Sequence, residues 1–490
     1  MKSDKSIIII GAGIGGLATA ALLAKAGYPV TVLEKQASVG GRARVFKAKG
    51  FSFDMGPSWY MMPEIFENFY QQFDKKSSDF FTLKRLDPLY RIFWGKDDYV
   101  NINAKFSENK KYFESREKGS FKKMSKYLTL SSKLYRVTIR SFLYTDFKTL
   151  TSWVDLGKAA FSIPFFTFRS IDQVTSRYVT DYRLKQIMSY WSVFLGGSPY
   201  LVPGLYSLMS HVEFQEGVYY PMNGMGEVIN SLVTLCKTHG VVIQTSSEVT
   251  QISKKSDRVT VYVGSKSYTA DRVVSNADYQ YTQEKLLSVS DRTITKTKWK
   301  KKTIAPSMFL MYLGVKGQVK KLGHHNLFLS SDWNRHFDQI FKTPQYPDDP
   351  NYYICAPSKS DVSVAPKNHE NLFILVPIAA GLSDTSAIRK DYSNKILLHL
   401  EKITGQDIIK NIVFKRTYSL NDFKNDYHAF EGTALGLSHS LFQTAFLRPA
   451  MQSKKIPQLF FVGQDTLPGV GMPMVLISAQ VVAAKIIKGL

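Results

Sequence analysis

Cysteine is nearly absent from this 490-residue sequence: Cys236 and Cys355 are the only two, which excludes a disulfide scaffold and fits a reducing compartment. Acid is scarce too, with 40 Asp and Glu against 64 Lys and Arg, so the formal charge is +24 and the pI is near 9.6. That surplus favours an anionic partner, either nucleic acid phosphates or acidic lipid headgroups. No recognised nucleic-acid module accompanies it, which turns the expectation towards a membrane surface. Long unbroken apolar runs are missing as well. Residues 6–24, 189–212 and 466–484 carry no charge, but glycines or prolines interrupt each, so neither a signal peptide nor a membrane span is expected and the cytoplasm is the default location. There is no Ser/His/Asp set and no cysteine cluster to suggest hydrolysis. His324-His325 has no further ligand at useful spacing, so a surface or core pair is expected and no metal site. What remains is an apolar share of 44%, with 13% aromatics, too rich for a disordered chain.

The charge is not evenly spread. Between Lys105 and Lys148 there are 12 basic residues against Glu108, Glu114, Glu117 and Asp146, with Phe106, Tyr112, Phe113, Phe121, Met124, Tyr127, Leu134 and Tyr135 interleaved and Phe142, Leu143, Tyr144 and Phe147 near its end. Such a stretch suits a bilayer surface or a solvated helical face with core contacts behind it. The uncharged segment Ser189 to Val212, containing Gly196, Gly197, Pro199, Pro203 and Gly204, reads as the lining of an apolar cavity.

Chemistry is clearest at the amino terminus. A short strand, Ile7 to Ile10, feeds Gly11-Ala12-Gly13-Ile14-Gly15-Gly16, a helical pattern then runs to Gly27, and a second strand, Val30 to Leu33, ends at Glu34 and Lys35. This is a βαβ unit with its dinucleotide fingerprint in register. Gly11 serves the tight turn, Gly13 lets backbone approach a pyrophosphate, and Gly16 lets helix and strand pack closely. Glu34, 18 residues beyond Gly16, stands where a carboxylate accepts from the adenosine ribose.

Val39-Gly40-Gly41-Arg42-Ala43-Arg44 and then Phe53-Asp54-Met55-Gly56-Pro57-Ser58 follow. This resembles the FAD-containing amine oxidase and carotenoid desaturase superfamily, in which the "GGR" turn lies beside the FAD diphosphate and the Gly56-Pro57-Ser58 segment runs near the flavin. The carboxy terminus, Leu459 to Thr466 followed by Pro468-Gly469-Val470-Gly471-Met472-Pro473, looks like the closing FAD motif of bacterial-type phytoene desaturases. Gly436 to Ser440 with Gln443, Arg448 and Pro449, Glu216 to Pro221 with Gly224-Met225, and Arg272 to Asp278 with Asn276 are similar to further segments of that family. The resemblance implies FAD as cofactor, with Gly463 in the closing motif, Gly471 and Met472 near the flavin and Val249 touching adenine through its backbone. Where many members carry an acid directly after the glycine, this chain has Gln464 and then Asp465; Asp465 is the favoured ribityl or phosphate neighbour.

The expected fold class is therefore α/β: a discontinuous Rossmann-type FAD-binding domain (1–75, 222–285 and 430–490) with an inserted mixed α+β substrate- and membrane-binding lobe (76–221 and 286–429). The resemblance implies an FAD-dependent desaturase of a hydrophobic carotenoid, with phytoene first and a later 3,4-desaturation of a hydroxylated carotene second. An amine or porphyrinogen oxidase, or a non-catalytic prenyl-protein escort, would be alternatives on the same fold. No catalytic base is nominated: Asp54, Asp278 and Asp422 read as turn or cap residues.

Overall fold

The computed structural model describes residues 4–139, 143–144, 163–444 and 447–489. Its amino-terminal half-turn of chemistry rests on a parallel sheet. The strand β1 (Ile7–Ile10) is followed by helix α1 (Ile14–Lys25) and β2 (Val30–Leu33), and the sheet is completed by Val242–Gln244, Arg272–Ser275 and Leu459–Phe461. The spatial order is 459–461, 272–275, 7–10, 30–33, 242–244, and every neighbour is parallel. Both faces of such a sheet are covered, which is why β1 can be four consecutive isoleucines. Ile7 and Ile9 pack against α1 and the helix Met472–Lys488, whereas Ile8 and Ile10 pack against Ile252, Val259 and Val261 of an antiparallel three-stranded layer, Gln251–Lys255, Arg258–Val263 and Lys266–Ala270. The first strand of that layer begins at Gln251, because Ser247 N donates to Glu34 O and ties the preceding segment to the end of β2.

The second sheet has seven strands, in the order Ile412–Tyr418, Ser307–Lys316, His369–Ile378, Tyr352–Cys355, His325–Phe328, Tyr90–Phe93, Tyr99–Ile102. All its pairs are antiparallel except His325–Phe328 with Tyr90–Phe93. Alternation sorts its residues. Phe309, Met311 and Leu313 join a core with the helix Ser386–Thr404, while Met308, Leu310, Tyr312, Tyr353 and Phe373 face the opposite way, into a core shared with the helices Ser120–Thr138 and Tyr182–Ser189. The architecture is the α/β cofactor fold with a mixed second lobe.

In the basic stretch, Met124, Tyr127, Leu128, Leu134 and Tyr135 of the helix Ser120–Thr138 are buried, whereas Lys110, Lys111, Lys122, Lys123 and Lys126 are exposed. The structure thus gives the charged outer face with core contacts behind it. Arg140, Phe142, Phe147 and Lys148 lie outside the described residues.

Candidate functional site

A single cavity of about 870 Å3 runs from the glycine loops into the core of the second lobe. At its polar end, Gly11 turns the chain with φ +94°, and its amide donates to Leu33 O at 2.8 Å. The Glu34 carboxylate accepts from Ala12 N at 2.6 Å and from Gln36 N at 2.8 Å, so it braces the loop; a carboxylate has lone pairs left for ribose hydroxyls. The amino end of α1 opens onto the same space, a ready anion site.

Close approach explains the remaining glycines. A Cβ on Gly15 would stand 2.6 Å from Asn276 Oδ1, and one on Gly56 would stand 2.5 Å from Arg42 O. Asn276 thus sits at a hub where the first loop, the strand ending at Ser275 and Gly463 converge. Gly16 does not line the cavity; its missing side chain admits Gly11 O, the helix-to-strand packing role expected of it. The other residues named from the sequence do line it: Gly11, Gly13, Gly15, Glu34, Lys35, Gly41, Arg42, Gly56, Pro57, Ser58, Val249, Asn276, Gly463, Asp465, Gly471 and Met472.

Arg42 is the most telling. Its Nε and Nη2 are buried without a hydrogen-bond partner among the described residues, and its guanidinium lies 5.0 Å from the Tyr427 ring centroid. A buried guanidinium fork without an acceptor is costly unless an anion supplies one, so this position fits a diphosphate. Asp278 and Asp465 are buried near one another. Asp278 caps the turn at Tyr281 N, Asp465 accepts from Leu437 N at 3.0 Å, burial raises both carboxyl pKa values, and the nearby Asp465 adds to the rise at Asp278. The neighbouring Gln464 also lines the cavity, and its Nε2 has no partner among the described residues. Buried Arg448, unassigned in the sequence reading, holds this segment by donating to Thr466 O at 3.1 Å and to Gln464 O at 2.6 Å.

The apolar end is built largely from the segment expected to line it: Val193, Phe194, Leu195, Pro203, Leu205, Leu208 and Met209, facing Trp59, Met308, Leu310 and Phe373. Polar side chains interrupt it at His439, Tyr206 and Thr444. His439 accepts from Val470 N at 3.3 Å, and its other nitrogen meets the Tyr206 hydroxyl at 2.7 Å, which also bonds Thr444. Burial pushes its pKa well down, so it stays neutral. The acids weighed from the sequence are structural. Asp54 accepts from Met225 N and Gly226 N, and Asp422 forms a capping box with Ser419 and pairs with Arg389.

A Rossmann-type sheet, a glycine-lined anion cradle and a contiguous apolar passage define a dinucleotide-dependent oxidoreductase for a greasy substrate. The profile of the flavin containing amine oxidoreductase family matches residues 14–487. The chain belongs to that family, on its carotenoid desaturase branch, and is an FAD-dependent oxidoreductase. It is 44% identical over 488 residues to a carotenoid 3,4-desaturase of Haloarcula japonica, covering 99% of each chain. It is 30% identical over 487 residues to a zeta-carotene-forming phytoene desaturase of Myxococcus xanthus, covering 98% of this chain and 94% of that one. The fold is shared with an oxidoreductase from Methanosarcina mazei (TM-score 0.65, 16% identity, 97% of this chain and 99% of that one).

Proposed function

We propose that the protein desaturates a long carotenoid held in the apolar end of the cavity, and that it acts at the 3,4 bond. The observation carrying this reading is the continuity of the polar cradle with the apolar passage in one cavity. FAD, when bound, supplies the hydride acceptor. Arg42 and the amino end of α1 would hold its diphosphate, Glu34 and Val249 would flank the adenosine, and Asp465 would accept from the ribityl chain. Trp59, Phe194, Leu205 and Met209 would exclude water and align the polyene. The acids of the cavity wall are engaged in capping or lie at the cofactor end, so no side-chain base is assigned; conjugation of the polyene would acidify the carbon beside the one that gives up hydride, and solvent at the cavity mouth would take up its proton.

The contrast between 44% and 30% identity moves the choice of step from phytoene to the 3,4 bond. The test is pigment analysis in cells accumulating either phytoene alone or a later carotene. Loss of two hydrogens from the later carotene, with phytoene untouched, is expected. Coloured products from phytoene alone would reassign the step, and a yellow protein that changes neither would overturn the reading.

A carotenoid lives in a bilayer, and we propose peripheral attachment to reach it. Among the described residues no helix is long and apolar enough to cross a membrane. Four cavity-lining residues, Phe168, Leu441, Phe442 and Leu447, are exposed, Phe442 by 79%. This rim would dip into the bilayer while the outward lysines attract anionic headgroups. Reversing the charges of Lys110, Lys111, Lys122 and Lys123 is expected to abolish co-sedimentation with anionic liposomes; unchanged binding would remove the idea.

A further inference from the structure

The adjacent histidines acquire a third donor in the fold. Antiparallel pairing sets His325 opposite Cys355, and alternation puts Tyr353 and Cys355 on the sheet face that looks towards the cavity. His324, His325 and Cys355 are 7%, 1% and 3% exposed, and one nitrogen of each imidazole and the Cys355 sulfur lie within 4.8 Å of one another.

Their hydrogen bonding is incomplete. Among the described residues, both nitrogens of His324 and Nε2 of His325 are buried without a partner, although buried polar atoms are ordinarily satisfied. Nδ1 of His325 meets the Tyr353 hydroxyl at 2.6 Å, and that hydroxyl meets Ser58 Oγ at 2.9 Å on the cavity wall. Trp59 lies flat on the His325 ring, with centroids 4.3 Å apart, and Tyr220 packs edge-on against His324. A ligating imidazole is normally oriented in this way, through a hydrogen bond at its other nitrogen.

We propose that His324, His325 and Cys355 bind one soft transition-metal ion of the Zn(II) or Cu(I) class in the wall between the seven-stranded sheet and the cavity. One thiolate with two imidazoles selects such ions over hard cations, which require oxygen donors. Through His325 and Tyr353 the ion would also fix the hydroxyl that holds Ser58.

The test uses the flavin-loaded full chain, incubated with Zn(II) or Cu(I), dialysed, and analysed for metal by mass spectrometry. One ion per chain is expected. X-ray absorption of the Zn(II) form should show one sulfur at about 2.3 Å and nitrogen at about 2.0 Å. Cys355→Ser and His324→Ala should each lower retention at least tenfold with the flavin spectrum unchanged. Cys236→Ser should retain the ion, since that thiol is engaged elsewhere, with Leu17 O. Absence of stoichiometric metal, a shell without sulfur, or equal retention in the Cys355 and His324 variants would overturn the assignment. Should either variant fail to fold, the wild-type absorption spectrum together with Cys236→Ser decides, because the chain has no third cysteine.

Discussion

Glu213 offers a quantitative check on the core beneath the cavity. It is 1% exposed and takes the Tyr90 hydroxyl on one carboxylate oxygen. Trp59, which lines the cavity, packs on Tyr90 and Tyr190 above it. Burial pushes its carboxyl from 4.5 up to about 8. The folded state therefore keeps a proton that the unfolded state releases. Stability from this group is complete below about pH 4.5, falls as pH rises, and is gone above about pH 8. At 1.36 kcal/mol per pH unit, the loss between pH 5 and 8 is on the order of 4 kcal/mol. Glu213→Gln keeps the shape and cannot ionise. Thermal unfolding of both proteins from pH 5 to 9, read by circular dichroism and flavin release, should show the wild type losing roughly 4–8 °C relative to the variant across that window, at roughly 1–2 °C per kcal/mol for a chain of this size. Parallel curves would refute a buried neutral carboxyl at this position.

Three further outcomes are expected. Gly15→Ala drives a Cβ to 2.6 Å from Asn276 Oδ1 and 3.0 Å from Val475, so the purified protein should be colourless with its circular dichroism intact, as measured by flavin content per chain. Arg42→Leu removes a charged donor worth about 1.5–3 kcal/mol, so flavin titration should give roughly 10- to 100-fold weaker binding, with Arg42→Lys recovering only part. Replacing Leu441 and Phe442 with serine should slow turnover of liposome-embedded carotenoid several-fold and spare detergent-solubilised substrate, as followed by product absorbance.

The cofactor end was legible because its determinants are local. Gly11 to Gly16 needs only its own strand and helix, and Glu34 ends the adjoining strand. Arg42, Asn276 and Asp465 were reachable through segments whose spacing resembles a family, even though they are far apart in the chain. His439 stood within one of those segments without a role, since its contacts with Val470 and Tyr206 arise from tertiary packing. Cys355 lies 30 residues beyond His325, and only strand register makes them neighbours. Glu213 resembled any surface glutamate, as nothing in its immediate sequence says that a turn buries it beneath two tyrosines. The apolar residues of the basic stretch were correctly seen as a face, but their amphipathic pattern is the same whether core or lipid covers them.

The parallel sheet has a consequence for how the chain is made. Its central strand, Ile7–Ile10, is synthesised long before the strand at one edge, Leu459–Phe461, and the helix Met472–Lys488 that covers β1. A ribosome must therefore deliver the chain as far as the helix Met472–Lys488 before the nucleotide cradle can close. During that wait four isoleucines stand without their final neighbours, a clear occasion for chaperone engagement. Nascent chains halted before residue 459 should then be unable to retain riboflavin-derived colour, however well their second lobe has formed.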